Sequence, residues 1–129
     1  LCRGGISVNK HFSNGSFTFS AGVIAAYRVE SELARYPRVV VSNEVMDLVF
    51  PDSKSIPKNL IREDDGLLFI DYIGCSRRTK PKHLKSVVES IVTRLLASDV
   101  SSVREKGLWL ASYSDVILGT KLQPPRFQV

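Results

Sequence analysis

The stretch Ser20-Ala-Gly-Val-Ile-Ala-Ala-Tyr-Arg-Val-Glu-Ser-Glu-Leu-Ala-Arg-Tyr-Pro37-Arg-Val-Val-Val-Ser42 decides the fold class. Ser20 is a good N-cap, and over residues 21–35 Val23, Ala26, Tyr27, Leu33 and Ala34 recur at helical spacing. This predicts an amphipathic helix that buries that stripe. Pro37 ends it, because Tyr36 is pushed out of the helical region by the proline that follows. Arg38-Val-Val-Val-Ser42 is dominated by β-branched residues and predicts a buried strand.

Upstream, Cys2 to Val8 alternates around Ile6 and Val8 and suits a short strand. Asn14-Gly15 is a turn signal, with Phe17-Thr-Phe19 a brief extended piece after it. Downstream, Ser42 or Asn43 caps a short helix through Phe50, and residues 51–65 read as a loop because prolines, serines and charges crowd there. Leu67 to Ile73, bounded by Gly66 and Gly74, predicts the strongest strand, with Phe69, Asp71 and Ile73 on one face. Leu84, Val87, Val88, Ile91, Leu95 and Leu96 recur at helical spacing. A last helix covers Val103 to Tyr113, with Trp109 and Tyr113 four apart, before a frayed tail at Pro124-Pro125. The order strand, helix, strand, short helix, strand, helices predicts an α+β sandwich, with helices on one face of a small sheet.

The 129 residues suffice for one domain. No apolar run is long enough to span a membrane. Met46 is the only methionine, so Leu1 is not a natural translation start: the chain was processed, or belongs to a longer protein. Cys2 and Cys75 show no metal-ligand spacing and need no disulfide, which predicts a cytoplasmic location. Residues 1–65 carry eight basic and eight acidic side chains, so the net charge of +5 comes from residues 66–129. Arg77, Arg78, Lys80, Lys82 and Lys85 form a cluster that reads as a solvated loop leading into a helix. Such a cluster can also attract phosphates or nucleic acid, though without interleaved aromatic residues single-strand stacking has little support.

Metal and catalytic templates are absent. His11 and His83 have no ligand spacing and read as surface histidines. Arg3-Gly4-Gly5 suits either close backbone approach to a ligand or an ordinary strand entrance. Glu30 falls on the buried stripe, and a carboxylate there needs a partner. Arg3 is the candidate, in a structural ion pair tying helix to sheet. Arg28 lies off the stripe, where a guanidinium can stabilise a transferring phosphoryl group or remain a plain surface arginine. Asp71 reads as solvent-facing at a sheet edge.

Phe19-Ser-Ala-Gly-Val-Ile-Ala-Ala-Tyr-Arg-Val-Glu-Ser-Glu-Leu-Ala34 resembles a signature of the class III nucleotide cyclase domain, in which a glycine-valine pair opens a helix that continues through an alanine pair, an arginine and a glutamate. The run beginning Arg3-Gly-Gly-Ile6, together with Ala34-Arg-Tyr-Pro-Arg-Val-Val-Val-Ser42, Glu63-Asp-Asp-Gly-Leu-Leu-Phe-Ile-Asp-Tyr72 and Val103-Arg-Glu-Lys-Gly-Leu-Trp-Leu-Ala-Ser-Tyr113, is similar to the bacterial Pycsar pyrimidine nucleotide cyclases. The resemblance implies a ferredoxin-like α+β core with residues 1–129 as a single domain. That domain would be the C-terminal half to two-thirds of a cyclase domain, with a C-terminal helical extension over about 82–118.

The resemblance further implies a homodimer with active sites at the interface, converting UTP or CTP to the 3′,5′-cyclic monophosphate and pyrophosphate as a signal to a separate effector in antiphage defence. A divalent metal, Mn²⁺ or Mg²⁺, serves such an enzyme, and its aspartate ligands are expected upstream of Leu1. Arg28 matches the family's transition-state arginine. Ile24 stands where cyclases at large carry an asparagine that helps hold the transition state, and it offers no hydrogen bond. The alternative expectation is a non-catalytic cyclase-like domain that dimerises or binds nucleotide.

Overall fold

Val40 and Val41 lie at the inside of a four-stranded sheet, shielded from water. The structure, a computed structural model, describes residues 2–79 and 81–129 and divides after Asp71 into two compact units. The first unit contains β1 (Gly4–Ile6), β2 (His11–Asn14), β3 (Phe17–Ser20), α1 (Ala21–Arg28), a π-helical turn (Val29–Leu33), β4 (Val39–Val41), α2 (Asn43–Val49), β5 (Leu60–Arg62) and β6 (Leu68–Ile70).

The sheet order is β1-β4-β6-β5. β1 and β4 run parallel, with Gly5 opposite Val40. Parallel neighbours need a crossover, and the β2–β3 hairpin, α1 and the π turn supply it. β6 is antiparallel to both β4 and β5, with Phe69 opposite Val40 and Ile61. The fold is therefore α+β, with a small, mostly antiparallel sheet. Val40, Phe69 and Ala34 form the centre of this unit's core.

Local chemistry accounts for the ends of these elements. Ser20 Oγ accepts the Val23 N–H at 3.1 Å and starts α1, while Ser42 Oγ accepts that of Val45 and starts α2. The Asn14 side chain accepts the Phe17 N–H at 2.8 Å and closes the hairpin turn.

The second unit contains α3 (Tyr72–Arg77), α4 (Pro81–Leu96) and α5 (Ser101–Leu118). Val88 and Val92 of α4 are buried, as are Leu110, Ala111 and Tyr113 of α5. Gly107 lets α4 and α5 approach, since a Cβ there would lie 2.9 Å from Leu95 Cβ. Gly119 takes the left-handed conformation (φ 65°) that ends α5.

Three expectations are corrected. The strand predicted over Leu67–Ile73 spans only Leu68–Ile70, and Ile73 belongs to α3. The Tyr113 hydroxyl accepts the Ile73 N–H at 3.1 Å, satisfying a donor in the first turn of that helix. The loop predicted over 51–65 contains β5, a three-residue strand held by pairing with β6.

The helical stripe is only partly buried: Ala34 is shielded from water, but Val23 is 67% and Tyr27 68% exposed. Gly5 brings β1 so close to α1 that only its small residues fit underneath, leaving the large ones outside. Beside the predicted frayed end, the Asp115 carboxylate ties down the chain by accepting from Thr120 Oγ1 at 2.7 Å and from the N–H groups of Leu122 at 2.8 Å and Gln123 at 3.1 Å.

Candidate functional site

Arg28 is the last residue of α1, directly before the helix widens into its π turn. Such widened turns are frequent at functional sites. The Gly22 N–H donates to the Lys10 carbonyl at 3.3 Å, pinning the start of the helix to the segment that follows β1. Helix and segment together line a cleft of about 370 Å³, with Ser7, Asn9, Ile24, Arg28 and Glu44 on its walls. Among the described residues the Arg28 guanidinium has no ion pair or hydrogen bond. It is an exposed, unspent cation at the rim of a cleft.

Ile24, one turn earlier on α1, lines the same cleft and adds only apolar surface. Glu44, in the first turn of α2, supplies the cleft's carboxylate. No motif marked Glu44, Ser7 or Asn9, because the strand–helix–strand–helix path alone brings these segments together. Among the described residues no group of three His, Cys, Asp or Glu side chains is gathered for a metal ion. One carboxylate does not make a two-metal site, so the residues that line this cleft do not fit a pair of metal ions.

Arg3 Nε donates to Glu30 Oε1, joining the segment before β1 to the π turn. Both side chains reach water, so the pair is a surface tie. His11 is exposed on β2 and His83 on α4. Asp71 follows β6, and its N–H donates to the Asn59 carbonyl at 2.8 Å. Arg77 of the basic cluster donates to the Ile117 carbonyl at 2.7 Å, a structural use at the end of α5. Lys80 lies outside the described residues. Both cysteines are free thiols.

No family model, curated protein or solved structure significantly matches this chain.

Arg38 was not singled out by its sequence context, yet it is fully buried. Its guanidinium meets Glu63 Oε2, Asp65 Oδ2 at 2.6 Å and the Leu33 carbonyl at 3.0 Å, and lies over the Tyr36 ring. Among the described residues its Nε has no hydrogen-bond partner. Burial disfavours the charged arginine, but the hydrogen bond and charge of Asp65 and the charge of Glu63 outweigh it and raise its pKa. Burial likewise pushes the Asp65 carboxyl up, and the Arg38 hydrogen bond, the Leu67 N–H and the Arg38 charge together bring it below its ordinary value. The signal for this cluster was an arginine between Pro37 and three strand valines, with the acidic run Glu63-Asp-Asp65 elsewhere to neutralise it. It is a structural clamp joining the end of the π turn and β4 to the β5–β6 turn.

One apolar face is open. Phe12 is paired across the hairpin with Phe19, and Phe17 lies two residues before Phe19, so all three rings share a face. All three are exposed. The opposite face is polar, with Ser13 and Thr18 hydroxyls 3.0 Å apart. Val23 and Tyr27 extend the exposed apolar surface along α1.

Proposed function

We propose that this protein is a pyrimidine nucleotide cyclase, converting UTP or CTP to the 3′,5′-cyclic monophosphate and pyrophosphate. It works in the cytoplasm as a homodimer of ferredoxin-like domains, and its product signals to a separate effector in antiphage defence. The reading rests on the resemblance of four runs to the Pycsar cyclases. The observation that carries it is the unpartnered Arg28 guanidinium on the wall of a cleft. As the 3′-hydroxyl oxygen attacks the α-phosphorus and the bond to pyrophosphate breaks, negative charge builds on the phosphate oxygens. Arg28 donates hydrogen bonds to those oxygens and stabilises the transition state. The divalent ion, Mn²⁺ or Mg²⁺, is held in this reading by aspartates outside these 129 residues.

The aromatic hairpin face and the outer side of α1 support the dimer. A two-stranded hairpin with its apolar face in water is marginal, and a second copy would cover it. Ile24 favours a second reading, a non-catalytic cyclase-like domain that dimerises or binds nucleotide, because it cannot hydrogen-bond a transition state.

Mass spectrometry of the complete protein, as the cell makes it, incubated with Mn²⁺ and each of the four nucleoside triphosphates distinguishes the two. A cyclic pyrimidine nucleotide that disappears in Arg28→Ala is the expected result. A folded dimer that forms no cyclic product with any of the four leaves the non-catalytic reading.

A further inference from the structure

The second unit contains a larger cleft, about 660 Å³, between the end of α4, the first half of α5 and the C-terminal tail. Leu96, Leu108, Pro124 and Pro125 supply apolar walls. Arg104 and Arg126 line it as well, and among the described residues no acidic residue does. Neither arginine has an ion pair or a side-chain hydrogen bond among the described residues, although Arg126 lies over the Phe127 ring.

The start of the tail wall is anchored. Asp115 accepts three hydrogen bonds from Thr120, Leu122 and Gln123, which carries the chain from the end of α5 into the tail wall. Arg104 and Leu108 are one helical turn apart and so share a face of α5.

We propose that this cleft binds a small organic anion with a flat apolar body, of the nucleoside monophosphate class. Two planar forks without a carboxylate partner fit a phosphate dianion, with which arginine makes bidentate hydrogen bonds. The leucine and proline surfaces suit the flat face of a ring, and the amides of Gln123 and Gln128 can meet its polar edge. The volume lies in the usual range for small-molecule sites. This cleft shares no residue with the Arg28 cleft, and the proposal does not depend on the role of Arg28.

The test is calorimetric titration of the Arg28→Ala protein, which removes the phosphate ligand of the other cleft, with uridine 5′-monophosphate, uridine and inorganic phosphate. The nucleotide is expected to bind with Kd below about 1 mM, and uridine and phosphate each about tenfold or more weaker. Adding Arg104→Gln and Arg126→Gln should weaken nucleotide binding by about tenfold or more without changing the melting temperature. If that variant does not fold, amide shifts in the parent protein decide: the nucleotide must move the signals of Leu108, Gln123 and Gln128. No binding, binding indifferent to both arginines, shifts that leave these amides unmoved, or phosphate binding as tightly as the nucleotide would each overturn the proposal.

Discussion

A Cβ atom on Gly5 would lie 2.7 Å from the carbonyl oxygen of Ala26 and equally near the Glu30 amide nitrogen. β1 and the helix therefore meet backbone to backbone, and the Arg28 cleft is built on that contact. Gly5→Ala is expected to force the two apart and to cost about 1–3 kcal/mol, the usual range for overpacking. Gly15→Ala, where nothing lies within 4 Å of the added atom, should cost far less. Urea denaturation of both variants checks the difference. Equal stability would mean that the close contact does not position the helix.

Arg38 and Asp65 make stability depend on pH at the acid end. The folded Asp65 carboxyl sits below its ordinary value of 3.8, so the folded state holds its proton less tightly than the unfolded chain. Its contribution is fully present above that ordinary value and is lost as pH falls through the lower, folded value. Asp115 acts in the same direction: burial raises its pKa, and its donors Leu122, Thr120 and Gln123 outweigh that and lower it. Denaturation between pH 2 and 6 should show a slope that is shallower in Asp65→Asn and Asp115→Asn.

Removing the buried cation is the harsher change. Arg38→Met leaves Glu63 and Asp65 without their partner and should destabilise the protein by about 3 kcal/mol, the lower end for breaking a buried pair. The Arg3–Glu30 tie, open to water, should give only about 0.2–1 kcal/mol on Glu30→Ala. Chemical denaturation of the two variants side by side tests the ranking, which fails if Glu30→Ala proves the more damaging.

Arg28→Ala should leave the melting temperature unchanged, since the side chain is exposed and makes no ion pair or hydrogen bond of its own among the described residues. On the cyclase reading proposed above, turnover by the complete protein should fall by about 10²–10³, as when one transition-state donor is removed. Unchanged turnover would remove Arg28 from the chemistry.

Phe17→Ser together with Phe19→Ser tests the open face of the hairpin. Sedimentation should show the parent protein as a dimer and the variant as a folded monomer. A monomeric parent would mean that another partner covers these rings.

Much of the frame was legible in the chain because its causes are local. The valine run, the Asn14-Gly15 turn and the serine caps at 20 and 42 act within a few residues of themselves, and each stands where its chemistry requires. β5 was not legible: Leu60–Arg62 is a strand only because β6 pairs with it. The exposure of Val23 and Tyr27 was not legible for a related reason. Helical spacing tells which residues share a face, but it does not tell whether that face meets the sheet or leaves it.

The sequence by itself determined the α+β class, the two long helices of the second half of the chain and the presence of an arginine and a glutamate on the first helix. Those follow from periodicity, β-branching and caps, which are properties of neighbouring residues. Only the tertiary structure decided that Arg28 faces a cleft with Glu44, that Arg38 is neutralised by Glu63 and Asp65, and that the three phenylalanines of the hairpin remain in water. Each of these depends on which distant segments approach within a few ångströms, and that is set by packing around glycines and paired strands.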